Sequence, residues 1–275
     1  VEVKEGEKIS FAMTENAPVY GLGEQVRGIN KRGWIYISNC TDDPNHREDT
    51  RSLYAAHNFL VFAEEEPFGI FLDNPGKVTF DIGYTRQDTA VITAESWDMD
   101  VYFIDGEDLK DIVRQFRHMI GRSYIPPKWA FGFGQSRWGY KSEDDVREVE
   151  RRYRELGIPL DSIYLDIDYM ERFKDFTLNN ETFPDFPEFV KEMKEKHIHL
   201  VPIIDAGVKI EEGYPVYEEG VENGYFCKDE DGKEFVAAVW PGRVHFPDML
   251  NPEARRLVRA EIQVSSGPGD RRILE

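Results

Sequence analysis

The spacing of hydrophobic positions changes near residue 125. Before it, short apolar or alternating runs recur at 19–22, 34–38, 58–63, 69–72, 78–82, 90–94 and 100–104. Turn clusters such as Asp73-Asn74-Pro75-Gly76 separate them. β-Branched and aromatic residues at this spacing predict a sandwich or a large antiparallel sheet. Leu109, Ile112, Val113 and Phe116 then recur at the helical period, and Gly121 follows as a stop signal.

Beyond Ile125-Pro126-Pro127-Lys128 strands and helices alternate. The apolar stretch 129–134 predicts a strand. Ser142, with Asp145 three residues on, predicts the N-cap of a helix over 143–156 that Gly157 ends. A strand over 162–167, a helix over 189–196 and a strand over 199–205 follow. Their starts fall about 33 and about 37 residues apart, the length of a βα unit, which predicts parallel strands. An eight-unit barrel takes about 250 residues. About 147 remain from Trp129 onward, and three strands are readable in them. The expected fold is therefore a β-sandwich N-terminal domain over 1–125 followed by a truncated (β/α) barrel of TIM type over 126–256. The Ser265-Ser266-Gly267-Pro268-Gly269-Asp270 break makes 257–275 an expected aberrant tail.

Composition narrows the function classes. With 34 basic and 53 acidic residues the net charge is −19, which argues against a nucleic-acid partner, since a phosphate backbone needs a basic stripe. No apolar run approaches the roughly 20 residues of a membrane span. No basic segment precedes an apolar one at the start, so no secretory signal is expected, and the opening Val1 suggests a trimmed terminus. Cys40 and Cys227 lie too far apart in sequence to suggest a disulfide framework or a cysteine metal site. The expected location is cytoplasmic.

Candidate chemistry gathers where the predicted parallel strands end. Tyr164, Asp166 and Asp168 alternate, so on a strand the two carboxylates share one face at its C-terminal end. That end carries the active site in β/α barrels, and paired carboxylates suit glycoside chemistry, acid–base work or a hard metal. A bare Asp-x-Asp also suits a loop cap and an arginine partner. Ser136-Arg137-Trp138-Gly139-Tyr140 follows the first such strand, Ile203-Ile204-Asp205 ends the third, and Val239-Trp240-Pro241-Gly242 lies on a further loop. Aromatics beside acids, without a phosphate-binding glycine loop, describe a carbohydrate site. Gly21-Leu22-Gly23 lacks the rest of a dinucleotide fingerprint, His197 and His199 lack metal spacing, and no Gly-x-Ser-x-Gly elbow occurs.

Together these residues resemble glycoside hydrolase family 31, and within it the intracellular gut-bacterial type of α-glucosidase. The match runs through Tyr20-Gly21-Leu22-Gly23-Glu24, Ser136-Arg137-Trp138-Gly139-Tyr140, Asp166-Ile167-Asp168-Tyr169-Met170, Asp175-Phe176-Thr177, Ile203-Ile204-Asp205 and Val239-Trp240-Pro241-Gly242 through Phe246-Pro247-Asp248. It covers roughly residues 1–256.

The resemblance implies hydrolysis of terminal α-linked glucose, with retention, from small α-glucosides such as maltose or isomaltose. No cofactor and no metal are implied, and a homo-oligomer stays open. It makes Asp166 a ligand of the outer hydroxyls of the −1 sugar. Trp138, Ile203 and Trp240 become walls of that pocket, with Ile167 beside them. From the loop Asn39-Cys40-Thr41-Asp42-Asp43-Pro44 it brings one carboxylate, Asp42 rather than Asp43. Asp166 and Asp168 are then not the catalytic pair. Nothing here matches the family's Trp-Asn-Asp-Met-Asn-Glu-Pro-like nucleophile segment, its acid/base Asp, its substrate Arg or its late His. On this reading the chain is the N-terminal part of an α-glucosidase. The alternatives are a non-catalytic sugar-binding protein and a metal-using barrel enzyme built on Asp166 and Asp168.

Overall fold

The computed structural model describes residues 2–4, 8–96 and 98–265. The chain folds as two compact units that divide between Tyr124 and Ile125.

The first unit is a sandwich of two antiparallel sheets. Its strands are β1 (Glu2–Lys4), β2 (Lys8–Ala12), β3 (Val19–Gly21), β4 (Trp34–Ser38), β5 (Phe59–Phe62), β6 (Phe68–Asp73), β7 (Val78–Ile82), β8 (Thr89–Ala94) and β9 (Asp100–Asp105). One sheet has the order β1-β2-β8-β7-β4 and the other β3-β5-β6-β9. In β7, Val78, Phe80 and Ile82 face inward while Thr79 and Asp81 do not, the alternation a half-buried strand requires. Register places Tyr36 opposite Phe80 and Phe80 opposite Ile92, forming a buried row across the first sheet. Leu60, Phe62, Ile70 and Leu72 of the second sheet join the same core. Strand β2 escapes a hydrophobic reading because only Ile9 and Phe11 point inward from a short, polar stretch.

Helix α1 (Leu109–Ile120) covers the outer face of the second sheet, with Ile112 fully buried against Val61 and Ile104. Asp108 caps it by accepting the Asp111 N–H at 2.7 Å. Gly69 makes the close approach possible, since a Cβ there would lie 2.6 Å from Ile112 Cγ2.

In the second unit the apolar stretch after Pro126-Pro127 departs from expectation. Lys128–Phe131 is a 3-10 turn, and the strand β10 is only Gly134–Ser136. Pro127 sits at the N-cap of the turn, and the Gly132 N–H closes it on the Trp129 carbonyl. An apolar run of this length does not by itself distinguish a turn from a strand.

Strands β10, β11 (Ser162–Leu165) and β12 (His199–Pro202) form a parallel sheet in that order, with Ser136 opposite Tyr164 and Leu165 opposite Pro202. The connecting helices are α2 (Glu143–Glu155) and α3 (Phe186–Glu195). Val146, Ile163, Leu165, Phe189, Met193 and Leu200 share one core. Strand, helix, parallel strand in succession is the repeating unit of a TIM-type barrel, and the sheet is not closed.

A second, antiparallel sheet follows. It joins β13 (Val208–Lys209), β14 (Ala237–Val239) and β15 (Gly242–His245) in the order β13-β15-β14, with helix α4 (Pro215–Asn223) between β13 and β14. Helix α5 (Pro252–Ser265) runs past Arg256, with Ala254, Leu257 and Val258 buried. Residues 266–275 of the expected tail lie outside the described residues.

Helix α2 opens with a complete capping box: Asp145 N–H donates to the Ser142 hydroxyl, and Ser142 N–H donates to the Asp145 carboxylate at 3.0 Å. Ser142→Ala removes one half of it, and a loss of about 1 kcal/mol is expected in chemical denaturation.

Candidate functional site

The parallel strands end together, so their following loops converge at one edge of the sheet. The first loop carries Trp138, which is 67% exposed. The second begins at Asp166. Strand β11 stops at Leu165, because Asp166 Oδ1 accepts the N–H of Ile167 at 2.7 Å and starts a 3-10 turn over Ile167–Tyr169. Asp168 therefore lies in the turn and does not share a strand face with Asp166, contrary to the alternation expected from the sequence.

Asp168 tucks toward the first loop. Burial pushes its carboxyl up, Lys141 and the Gly139 amide pull it back, and the Asp166 charge pushes it up again. Its Oδ2 is buried with no hydrogen-bond partner among the described residues.

The third loop starts at Ile203, whose N–H donates to the Leu165 carbonyl at 2.9 Å. The buried Tyr169 hydroxyl donates to the Ile203 carbonyl at 2.8 Å. Burial raises that tyrosine's pKa, and the charge of Asp175 adds to the rise. Ile167 is buried in the turn, whereas Ile203 keeps 37% of its surface exposed. Asp166, Ile167 and Ile203 are thus held next to one another. Trp240 is 65% exposed at the tip of the β14–β15 hairpin. That hairpin packs on the third loop so closely that a Cβ on Gly207 would lie 2.6 Å from Val239 Cγ2.

One carboxylate escaped the sequence reading as a functional group. Asp175 is 1% exposed. Its two oxygens accept the N–H groups of Asp205 at 3.0 Å and Gly207 at 3.2 Å. Its own carbonyl accepts the Tyr214 hydroxyl at 2.5 Å. Burial pushes its carboxyl up to about 6, the two amides hold it down, and the Asp205 charge adds to the rise. No periodicity could have revealed this clamp, because its partners lie about 30 residues away. Nearby, Glu211 pairs with Lys209, Lys174 and Arg172, which hold its carboxyl down at about 2.

Asp42 belongs to the first unit. Its loop is anchored where Thr41 N–H donates to the Leu53 carbonyl at 2.9 Å. Asp43 Oδ1 accepts the Asn45 N–H at 2.9 Å in a local turn, and the neighbouring Asp42 side chain is exposed. Among the described residues no group of three or more His, Cys, Asp or Glu could hold a metal ion, and no helix is long and apolar enough to cross a membrane. Cys40 and Cys227 are free thiols.

Comparison with known proteins gives two family matches. Residues 123–266 match the glycosyl hydrolases family 31 TIM-barrel domain, and residues 2–81 match the glycosyl hydrolase 31 N-terminal galactose mutarotase-like domain. The chain is 39% identical over 255 residues to alpha-glucosidase 2 of Bacillus thermoamyloliquefaciens, covering 92% of this chain and 32% of that protein. It is 27% identical to an alpha-glucosidase of Saccharolobus solfataricus, covering 92% of this chain and 37% of that one. Among solved structures, a family 31 dextranase of Flavobacterium johnsoniae complexed with glucose superposes with a TM-score of 0.82 at 27% identity, over 96% of this chain and 33% of that one. The chain spans about a third of the length of these curated relatives.

Asp175 makes stability depend on pH. Its folded pKa of about 6 lies above the ordinary 3.8, so the folded state binds the proton more tightly. The stabilisation is complete below the ordinary value and is lost as pH rises through about 6. Lowering the pH from 7.5 to 5.5 should stabilise the wild type relative to Asp175→Asn by about 1 kcal/mol. Denaturant titrations of both proteins at the two pH values check this.

Proposed function

The chain belongs to glycoside hydrolase family 31, and from that premise we propose that it is part of a retaining exo-α-glucosidase and supplies much of the −1 subsite. The substrate would be a terminal α-linked glucose of a small oligosaccharide such as maltose or isomaltose. The observation that carries the reading is the juxtaposition of Asp166 with Ile203 where the parallel strands end, between loops that present Trp138 and Trp240. An aromatic face packs on the C–H surface of a pyranose, and a carboxylate accepts its hydroxyls. Within the first unit, Asp42 is the carboxylate proposed to bind sugar. Its exposed side chain beside a locally engaged Asp43 favours it over its neighbour.

Retaining hydrolysis needs a nucleophile and an acid/base carboxyl about 5–5.5 Å apart. The family's segments for both have no counterpart in this sequence. The 275-residue chain is therefore proposed to bind sugar without hydrolysing it. Two free cysteines fit a reducing compartment, and the cytoplasm is the proposed location.

Two measurements test this. Purified chain should release no nitrophenol from an aryl α-glucoside above a mock preparation. Turnover that survives a contamination control would show that the chain supplies its own catalytic pair. Calorimetry or NMR titration should show glucose binding that Asp166→Asn weakens. Losing a charge-assisted hydrogen bond costs roughly 1.5–3 kcal/mol, or about 10- to 150-fold in affinity. An unchanged affinity would remove Asp166 from the sugar site.

A further inference from the structure

The loop after β11 and the loop after β12 meet through a buried carboxylate and strained backbone. Asp175 receives N–H groups from Asp205 and Gly207, two residues that flank Ala206. Ala206 has φ of +27°, in the left-handed range that residues with a side chain seldom adopt. That bend turns two nearby amides toward one anion, the geometry of a backbone nest. On the other side Arg172, Phe173 and Phe176 have φ of +51°, +62° and +62°. Four such residues in two facing loops persist only if the surroundings over-determine them.

The surroundings do so. The Tyr214 hydroxyl holds the Asp175 carbonyl, the Tyr169 hydroxyl holds the Ile203 carbonyl, and Glu211 ties Arg172 and Lys174 to Lys209. The clamped segment, 203–207, begins with the exposed Ile203 and ends at the glycine on which the Trp240 hairpin rests.

We propose that Asp175 is a positioning residue for the sugar site: its carboxylate sets the place of Ile203 and, through Gly207, of the hairpin that carries Trp240. Asp175 lies buried beneath the loop and acts through the backbone of the two flanking residues. The inference rests on the reading of this edge as a glucose subsite. A carboxylate is required because two converging N–H donors need two acceptor oxygens. An amide offers one oxygen, and its NH₂ opposes the second N–H. The charged and titratable groups facing the clamp are Asp205, Tyr169 and Tyr214, with Lys174 and its partner Glu211 next to it.

The test uses the 275-residue chain labelled with ¹⁵N and with ¹³C at the isoleucine methyls, and glucose as the probe. In the wild type, taken from pH 7.5 to 5.0, the Asp205 and Gly207 amide resonances should titrate together, with the Ile203 methyl following them. Glucose affinity should weaken about tenfold over the same interval, the scale of loss for a site left loosely held. Asp175→Asn should abolish the shared titration and bind glucose about tenfold more weakly at pH 7.5.

The wild-type titration needs no variant, so it decides the matter even if Asp175→Asn does not fold. Amides that titrate while the Ile203 methyl and the glucose affinity stay constant would make Asp175 a structural clamp only, and would overturn the proposal. A wild type that binds no glucose at either pH would instead sink the glucosidase reading. The Ile203 methyl would then still decide whether Asp175 positions the loop.

Discussion

A carboxylate removed from water must be given hydrogen-bond donors, or it costs the fold several kcal/mol. Asp175 finds its donors on the backbone of the neighbouring loop. This requirement organises the site edge of the second unit. It draws 203–207 into a bend through Ala206, beside which Gly207 stays bare against Val239 and Tyr214 and Tyr169 place their hydroxyls on the Asp175 and Ile203 carbonyls. Parallel strands alone bring loops to one edge without fixing how they lie. Here a single anion does that, and the surrounding ion pairs of Glu211 reinforce it from the solvent side.

What was legible in the sequence was local. The alternation in 78–82 yields β7, the Ser142–Asp145 pair yields the start of α2, and the apolar runs at 162–167 and 199–205 yield β11 and β12. Each of these elements is signalled by residues within one turn or one strand of each other; only the parallel pairing rested on the longer βα spacing. The failures are equally physical. The stretch 129–134 is apolar enough for a strand, but the chain emerging from two prolines closes a 3-10 turn first. The alternation 164-166-168 presumes that the strand continues, and Asp166 ends it by capping the next residue. The antiparallel sheet of β13, β14 and β15 left no trace, because Ala237–Val239 has no buried residue and Gly242–His245 only two.

For the candidate site, residue types and motif order pointed to Trp138, Asp166, Ile203 and Trp240, and the second unit holds all four on loops at one sheet edge or on the hairpin packed against it. The support beneath them was invisible in sequence. Asp175, Tyr169 and Tyr214 act on carbonyls and amides roughly 30 to 40 residues away, and such pairings leave no period to detect. Sequence exposes the side chains that could face a ligand more readily than the backbone contacts that aim them.

The hairpin bearing Trp240 constrains how this site can vary over time. Val239 pairs with Gly242, so the turn is only Trp240-Pro241. A two-residue turn leaves the rim little slack: a longer loop there would keep the pairing of β14 with β15 but hold the indole at 240 less firmly, because each added residue brings backbone freedom that the ladder does not restrain. The shortness of the turn, as much as the packing on Gly207, is what keeps an exposed aromatic in one place.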